Sequence, residues 1–359
     1  MKSSGHYTKR KKINKRNPRI IISRTDNIGD VILALPMAGA IKKAIPGAYI
    51  LFLGKSYTKD IVEMSENIDE FVDWEEIKNL DTHAQIKSFK NLNADYIVHA
   101  LAVKQIAILA KKAGIRKRIG TSGRIYHLKY CNKIIFFTRR RSKLHESQLN
   151  LKLLRAFGIK RPFALQDIIQ HYGIVPPNSL PDKYRDMIDN TKFNLILHPK
   201  SKGSAREWGI NNYAELISLL PKDKFKIFVT GTESETEIIQ SGIINKHPEV
   251  INLSGKLSLL ELISFIANAD GLVACSTGPL HIAAALGKFA IGIFPPIRPM
   301  HPGRWAPVGT NAIYLVVNKK CNKCRGNKPC ECIQSITPEM VKNKLMELFK
   351  PDSAFVDII

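Results

Sequence analysis

Hydrophobic and polar positions along this chain switch repeatedly between two periods. Short apolar runs rich in branched side chains, too short for a core helix, read as buried strands. They are RIIIS at 19–23, AYILFL at 48–53, DYIVHA at 95–100, FNLILH at 193–198, KIFVTG at 226–231, VINL at 250–253 and FAIGIF at 289–294. Between them the spacing is helical: VILALPMAGAIKKA follows Asp30, and further helices are predicted near 57–66, 82–92, 104–113, 211–220, 233–246 and 258–268. Such alternation implies parallel sheets covered by helices.

The series is interrupted at GIVPPNSLPDK (173–183), whose three prolines and lack of periodicity mark a boundary between two domains. The expected division is a basic disordered tail over 1–18, a first Rossmann-like domain over 19–175, a second over 184–335, and a C-terminal helix and tail over 336–359. Ligands of open parallel sheets sit beyond the carboxyl ends of the strands, so the loops after strands are where chemistry is expected.

Three loops carry it. In GLVACSTGPLHIAAALG (271–287) a strand breaks at Ser276, Thr277 and Gly278, and an Ala-rich helix restarts with Pro279 in its first turn. Its free N–H groups and positive dipole end favour an anion such as a phosphate, with His281 within reach. The same residues also suit a plain capped helix with a core histidine. In HPKSKGSAREW (198–208), Lys200, Lys202 and Arg206 interleave with Ser201, Gly203 and Ser204, a cationic loop that suits a diphosphate or simple solvation. GTESE (231–235) offers Glu233 or Glu235 to a ribose or base, or as an acid in a first helical turn.

The net charge of +24 is unevenly placed. Residues 1–19 hold eight Lys or Arg and no acid, and residues 104–160 hold sixteen against Glu146 alone, leaving the rest near neutral. That concentration points to a polyanionic partner: nucleic acid, an anionic membrane surface or a phosphorylated substrate. The basic segments lack interleaved aromatics and any base-reading motif, so no specific nucleic acid is expected, although charge alone permits a non-catalytic nucleic-acid-binding protein. No run of eighteen apolar residues occurs, and the basic N-terminus leads into no secretory signal, so a cytoplasmic protein is expected. Of six cysteines, Cys131 and Cys275 are isolated, while Cys321, Cys324, Cys330 and Cys332 are spaced for a structural zinc or stand as reduced thiols.

Taken in order, IGDVILALP, HPKSKGSAREWG, GTESE, LSGKLSLLELISFIANAD (253–270), CSTGPLHIAAALG and PMHPGRWAP (299–307) resemble glycosyltransferase family 9, the ADP-heptose:lipopolysaccharide heptosyltransferases, from about residue 19 to about 348. The resemblance implies an α/β GT-B fold, two Rossmann-like doubly wound domains facing across a cleft, with donor in the second and acceptor in the first. It implies an inverting, metal-independent transfer with no cofactor required, in keeping with the lack of an Asp-X-Asp motif. Asp30 falls on the family's proposed general base. Ser201, Arg206, Thr277, Gly278 and His281 fall on contacts to the nucleoside diphosphate, flanked by Lys200, Lys202 and Ser276, and Glu235 and Leu257 fall near the nucleoside. Ser276 stands where well-known heptosyltransferases carry Asp, which leaves the donor open between ADP-heptose and another nucleotide-sugar.

The implied enzyme adds a sugar, most simply heptose, to a lipopolysaccharide core or similar phosphorylated glycolipid at the inner face of the inner membrane. Arg139, Arg140 and Arg141 are expected on the acceptor's phosphates, and the tail against the anionic membrane.

Overall fold

The computed structural model describes residues 17–349 apart from 161, 178–179, 299, 320 and 322–329, so the tail over 1–16 and Cys324 lie outside the described residues. The described strands are β1 (Arg19–Ser23), β2 (Tyr49–Gly54), β3 (Glu70–Asp73), β4 (Tyr96–His99), β5 (Lys117–Thr121), β6 (Lys133–Ile135), β7 (Phe193–His198), β8 (Phe225–Val229), β9 (Ile251–Asn252), β10 (Gly271–Cys275), β11 (Phe289–Phe294) and β12 (Ala312–Val316). They form two parallel sheets, ordered β3-β2-β1-β4-β5-β6 and β12-β11-β10-β7-β8-β9. Each sheet, numbered along its own half of the chain, has the same doubly wound order, and the winding reverses between β1 and β4 and between β7 and β10.

Period-two geometry explains why the strands are apolar throughout. In β1, Ile20 and Ile22 enter one apolar cluster while Ile21 enters another on the opposite face, with Leu51 and Ile97 beside it. The second sheet is built alike: Leu195 and Leu197 pack outward with Tyr213, Val341 and Leu345 of covering helices, and Ile196 packs inward. Both inward faces drain into one continuous cluster that runs from Ile20 and Phe52 to Leu280 and Phe294.

Several elements differ from the sequence pattern for local reasons. Pro36 lacks an N–H and divides the first helical stretch into Ile28–Ile32 and Pro36–Ala44. The stretch at 233–246 is a 3-10 turn, a short α-helix (Thr236–Ile239) and a π-turn over Gln240–Ile244, where Gly242 lies against Ile210. Strands β3, β5, β6 and β12 went unpredicted: charged residues interrupt the short runs of the first three, and β12 is a half-exposed edge strand without the buried pattern of its neighbours. The segment around 173 is tied to the first half, Ser65 Oγ donating to Tyr172 O at 2.6 Å, and Tyr184 next donates to Lys256 O at 2.6 Å in the second.

Cys330 and Cys332 are buried in the outer cluster of the second sheet, with Cys321 packed against it. The halves meet most closely where the helix Ile28–Ile32 crosses the helix Gly278–Ala285. A Cβ at Gly29 would lie 2.7 Å from His281 Cδ2, and one at Gly278 2.9 Å from Ile28 Cγ2, so both positions need glycine for this approach. Gly29→Ala should therefore lower stability by about 1–3 kcal/mol through overpacking, read by urea unfolding. An unchanged midpoint would mean that the two helices separate freely.

Candidate active site

The site is built where both sheets reverse their winding. Immediately after β1, Arg24 turns back under the sheet and is only 3% exposed. A guanidinium there needs partners on every edge, and it has them. Nε donates to Asp26 Oδ1 at 2.7 Å, Nη1 to Glu146 Oε1 at 2.8 Å and Asn150 Oδ1 at 3.2 Å, and Nη2 pairs with Asp30. Arg139 brings a second guanidinium, with Nε to Glu146 Oε1 at 2.9 Å and Nη2 to Ala100 O at 2.6 Å and Asn150 Oδ1 at 2.9 Å. Arg304, from the short helix Pro302–Trp305 of the second half, pairs with Glu146 Oε2 and donates to Arg139 O at 3.0 Å. His145 Nε2 meets Ala306 O at 2.9 Å across the same seam.

Two carboxylates in this network are driven apart. Burial alone would raise Glu146, but Arg139, Arg24 and Arg304 outweigh it and hold the group down to about 2. For Asp30 burial wins: with only Arg24 to offset it, and with Asp26 and Glu146 adding repulsion, its carboxyl is raised to about 6. Asp30 is also the partly open one, its side chain 18% exposed. It is the third residue of its helix, which begins at Ile28 behind Asn27, so it does not act as the N-cap. A carboxyl poised near neutrality at a cleft surface is suited to general base work.

Opposite stands the start of the helix Gly278–Ala285. Thr277 occupies the N-cap position without using its hydroxyl there, and Thr277 Oγ1 and His281 Nδ1 are buried with no hydrogen-bond partner among the described residues. Burial beside His145 pushes His281 down to about 3, so the ring is neutral. Unused buried polar atoms beside the free N–H groups of a helix start are suited to receive an anion.

The loop after β7 is already organised by acids. Glu207 Oε1 accepts from Ser201 N and Oγ, both at 3.0 Å, and Oε2 pairs with Lys200 Nζ. Glu235 takes the capping alternative: Oε2 accepts from Thr232 N and Oγ1 at 2.8 Å, and Oε1 accepts from Lys202 N at 3.2 Å, so it ties two loops together. Arg206 and Ser276 are partly buried, and Leu257 packs against the shared core.

The three arginines expected at the acceptor separate. Arg139 turns inward into the charge network, whereas Arg140 and Arg141 are exposed. Arg24, Asp26, Glu146, Asn150, Glu207 and Arg304 were missed as site residues, although Glu146 announces itself as the lone acid among sixteen basic residues. Glu146→Gln should remove the shared counter-charge of the buried Arg24 and the half-buried Arg139 and Arg304, and lower stability by about 3–5 kcal/mol, measured by urea unfolding at neutral pH. Because its folded pKa is depressed, the stability it contributes is complete above its unfolded value of 4.5 and is lost as pH falls through about 2. A loss below about 1 kcal/mol would remove Glu146 as the keystone of the seam.

Comparison with known proteins gives a consistent outcome. Residues 82–333 match the family described as glycosyltransferase family 9 (heptosyltransferase). A Haemophilus influenzae protein whose name goes no further than glycosyltransferase is 26% identical over 81% of this chain and 86% of its own. The lipooligosaccharide heptosyltransferase 2 of the same organism is 30% identical, but over only 41% of this chain and 44% of its own. The solved structure of Escherichia coli ADP-heptose lps heptosyltransferase II superposes with a TM-score of 0.71 over 92% of this chain and 98% of that one, at 17% identity. Matched by the family over most of its length and folded as two facing doubly wound sheets, this chain belongs to glycosyltransferase family 9 and is a glycosyltransferase of GT-B fold.

Proposed function

We propose that the chain is an inverting, metal-independent glycosyltransferase that moves heptose from ADP-heptose onto a lipopolysaccharide core or similar phosphorylated glycolipid. The observation that carries this reading is the contact of Gly29 with His281, which sets the helix of Asp30 against the helix whose start bears the unused Thr277 hydroxyl. A base on one side and an anion receptor on the other are the two ends of a single displacement. Names of relatives support the chemistry: ADP-heptose and lps stand in that of the superposed structure, and lipooligosaccharide in that of a 30% identical relative.

In this reading the Asp30 carboxylate takes the proton of an acceptor hydroxyl as its oxygen attacks the anomeric carbon from the face opposite the leaving group. The bond to the nucleoside diphosphate breaks, and its charge meets Thr277, the N–H groups after it, Arg206 and the Ser201 loop. Lys200 and Lys202 add positive potential, and Ser276, Gly278 and His281 shape the turn. Leu257 borders the nucleoside, and Glu235 positions the loop beside it. Arg24 orients the base, while Arg140 and Arg141 meet the acceptor's phosphates. An enzyme of such an acceptor works in the cytoplasm, peripheral to the inner face of the inner membrane, and its concentrated positive charge favours that anionic surface.

Three outcomes test the proposal. Asp30→Asn should lower turnover about a hundredfold or more while sparing donor affinity, and wild-type kcat/KM should rise with pH through an apparent value of about 6 as Asp30 loses its proton. Near-normal turnover in that variant would take Asp30 out of the chemistry. Arg206→Ala and Thr277→Val should each weaken nucleoside diphosphate binding by about 1–3 kcal/mol in calorimetry, and unchanged affinity in both would place the diphosphate elsewhere. Among a panel of nucleotide-sugars, ADP-heptose should raise the melting temperature most, with the anomeric configuration of the product inverted and the rate indifferent to chelators. A larger rise with another donor would replace the sugar and keep the mechanism.

A further inference from the structure

Large apolar side chains scattered singly on a surface are ordinary, but neighbouring ones call for a reason. Among the described residues, the three most exposed are Ile125 at 87%, Phe136 at 82% and Leu128 at 62%. All three fall within one stretch of the basic segment. Ile125 and Leu128 lie one turn apart on the short helix Ile125–Tyr130, whose His127 is buried beneath. Phe136 follows β6 directly. The two places are adjacent because β5 and β6 pair in parallel with Thr121 opposite Ile135, and Ser122 N then donates to Ile135 O at 3.2 Å and Ser122 Oγ to Phe137 O at 3.3 Å.

The stretch that carries these side chains exposes charge of one sign. Arg124, Lys129, Lys133, Arg140, Arg141 and Lys143 are exposed there, while Glu146, the only acid from 104 to 160, is buried in the charge network. Apolar side chains that reach into water, interleaved along the chain with exposed cations and free of exposed carboxylates within their own segment, match a surface that is apolar inside and anionic outside. A folded protein partner would need a carboxylate array facing these cations beside a small apolar centre, whereas an anionic lipid surface supplies both features everywhere.

We propose that this corner, the outward face of the Ile125 helix together with Phe136, is the surface that docks on an anionic bilayer, with Ile125, Leu128 and Phe136 entering the headgroup boundary and the exposed cations of the same stretch, Arg124, Lys129 and Lys133, meeting lipid phosphates. The inference rests on the reading of the protein as a peripheral enzyme of a glycolipid acceptor and adds where and how it attaches. The docking corner is joined to the site by a short path. β6 lies at the edge of the first sheet, its carboxyl end facing the same side as that of β1, and Phe136 is three residues from Arg139, a distance of at most about 11 Å along the chain. A lipid-anchored acceptor held at this corner therefore stands beside the network that positions Asp30.

The test uses the full chain and vesicles of phosphatidylglycerol with phosphatidylcholine, against phosphatidylcholine alone. Wild type should bind the anionic vesicles, and Ile125→Ser/Leu128→Ser/Phe136→Ser should lower the partition coefficient about tenfold or more, with melting temperature and donor binding unchanged because the altered side chains are exposed. In Phe136→Trp the added emission should shift to the blue and become quenchable by brominated lipid when vesicles are present. Wild-type binding by the triple serine variant, or an unmoved tryptophan on vesicle-bound protein, would overturn the docking surface. If salt then releases the protein completely, general attraction to the membrane still stands and only insertion at this corner is lost. Unchanged vesicle binding combined with conversion of a dimer to a monomer would also overturn it, by making the patch an interface between two copies. None of these readouts requires sugar transfer, so failure of the glycosyltransferase mechanism would be seen separately.

Discussion

The structure depends on one buried carboxylate. Glu146, its side chain 1% exposed, sits where an isolated charge is untenable, and three guanidiniums make its ionised form the stable one. Each arrives from a different part of the chain: Arg24 directly after β1, Arg139 beyond β6, and Arg304 from the second half. Satisfying that acid thus brings a central strand, the sheet edge and the opposite half to one point. The raised carboxyl of Asp30 belongs to the same arrangement: burial lifts it, Arg24 offsets only part of that, and Asp26 and Glu146 add repulsion.

In the second half, two partly or fully buried acids do comparable work. Glu207 holds Lys200 and Ser201, and Glu235 holds Thr232 together with the backbone of Lys202. A cationic loop left to itself would sample many conformations, and an incoming anion would have to order it. Here much of that ordering precedes the guest, which lowers the entropy lost on binding.

Legibility from sequence followed the range of the physics. The runs of β1, β7 and β11 were plain because a strand buried on both faces must be apolar throughout, as Ile20, Ile21 and Ile22 show. The turn at 276–278 was plain because small hydroxyl residues and proline have few other uses at a strand-to-helix junction. Edge strands such as β6, with Lys133 at its start, were not, since edges tolerate charge. The network around Glu146 was least legible. Its members are separated by up to 280 positions, from Arg24 to Arg304, and no local pattern states which arginine of Arg139, Arg140 and Arg141 turns inward. What the sequence did offer was an anomaly, a single acid in a basic stretch, whose meaning required the third dimension.

The continuous apolar cluster between the sheets has a thermodynamic consequence. Had each half closed over its own core, the chain could melt in two steps, and the second half could persist while the first was open. Because Ile20 and Phe52 belong to the same cluster as Leu280 and Phe294, neither inward face can be exposed without stripping cover from the other. A core substitution beneath the first half therefore weakens the second half as well.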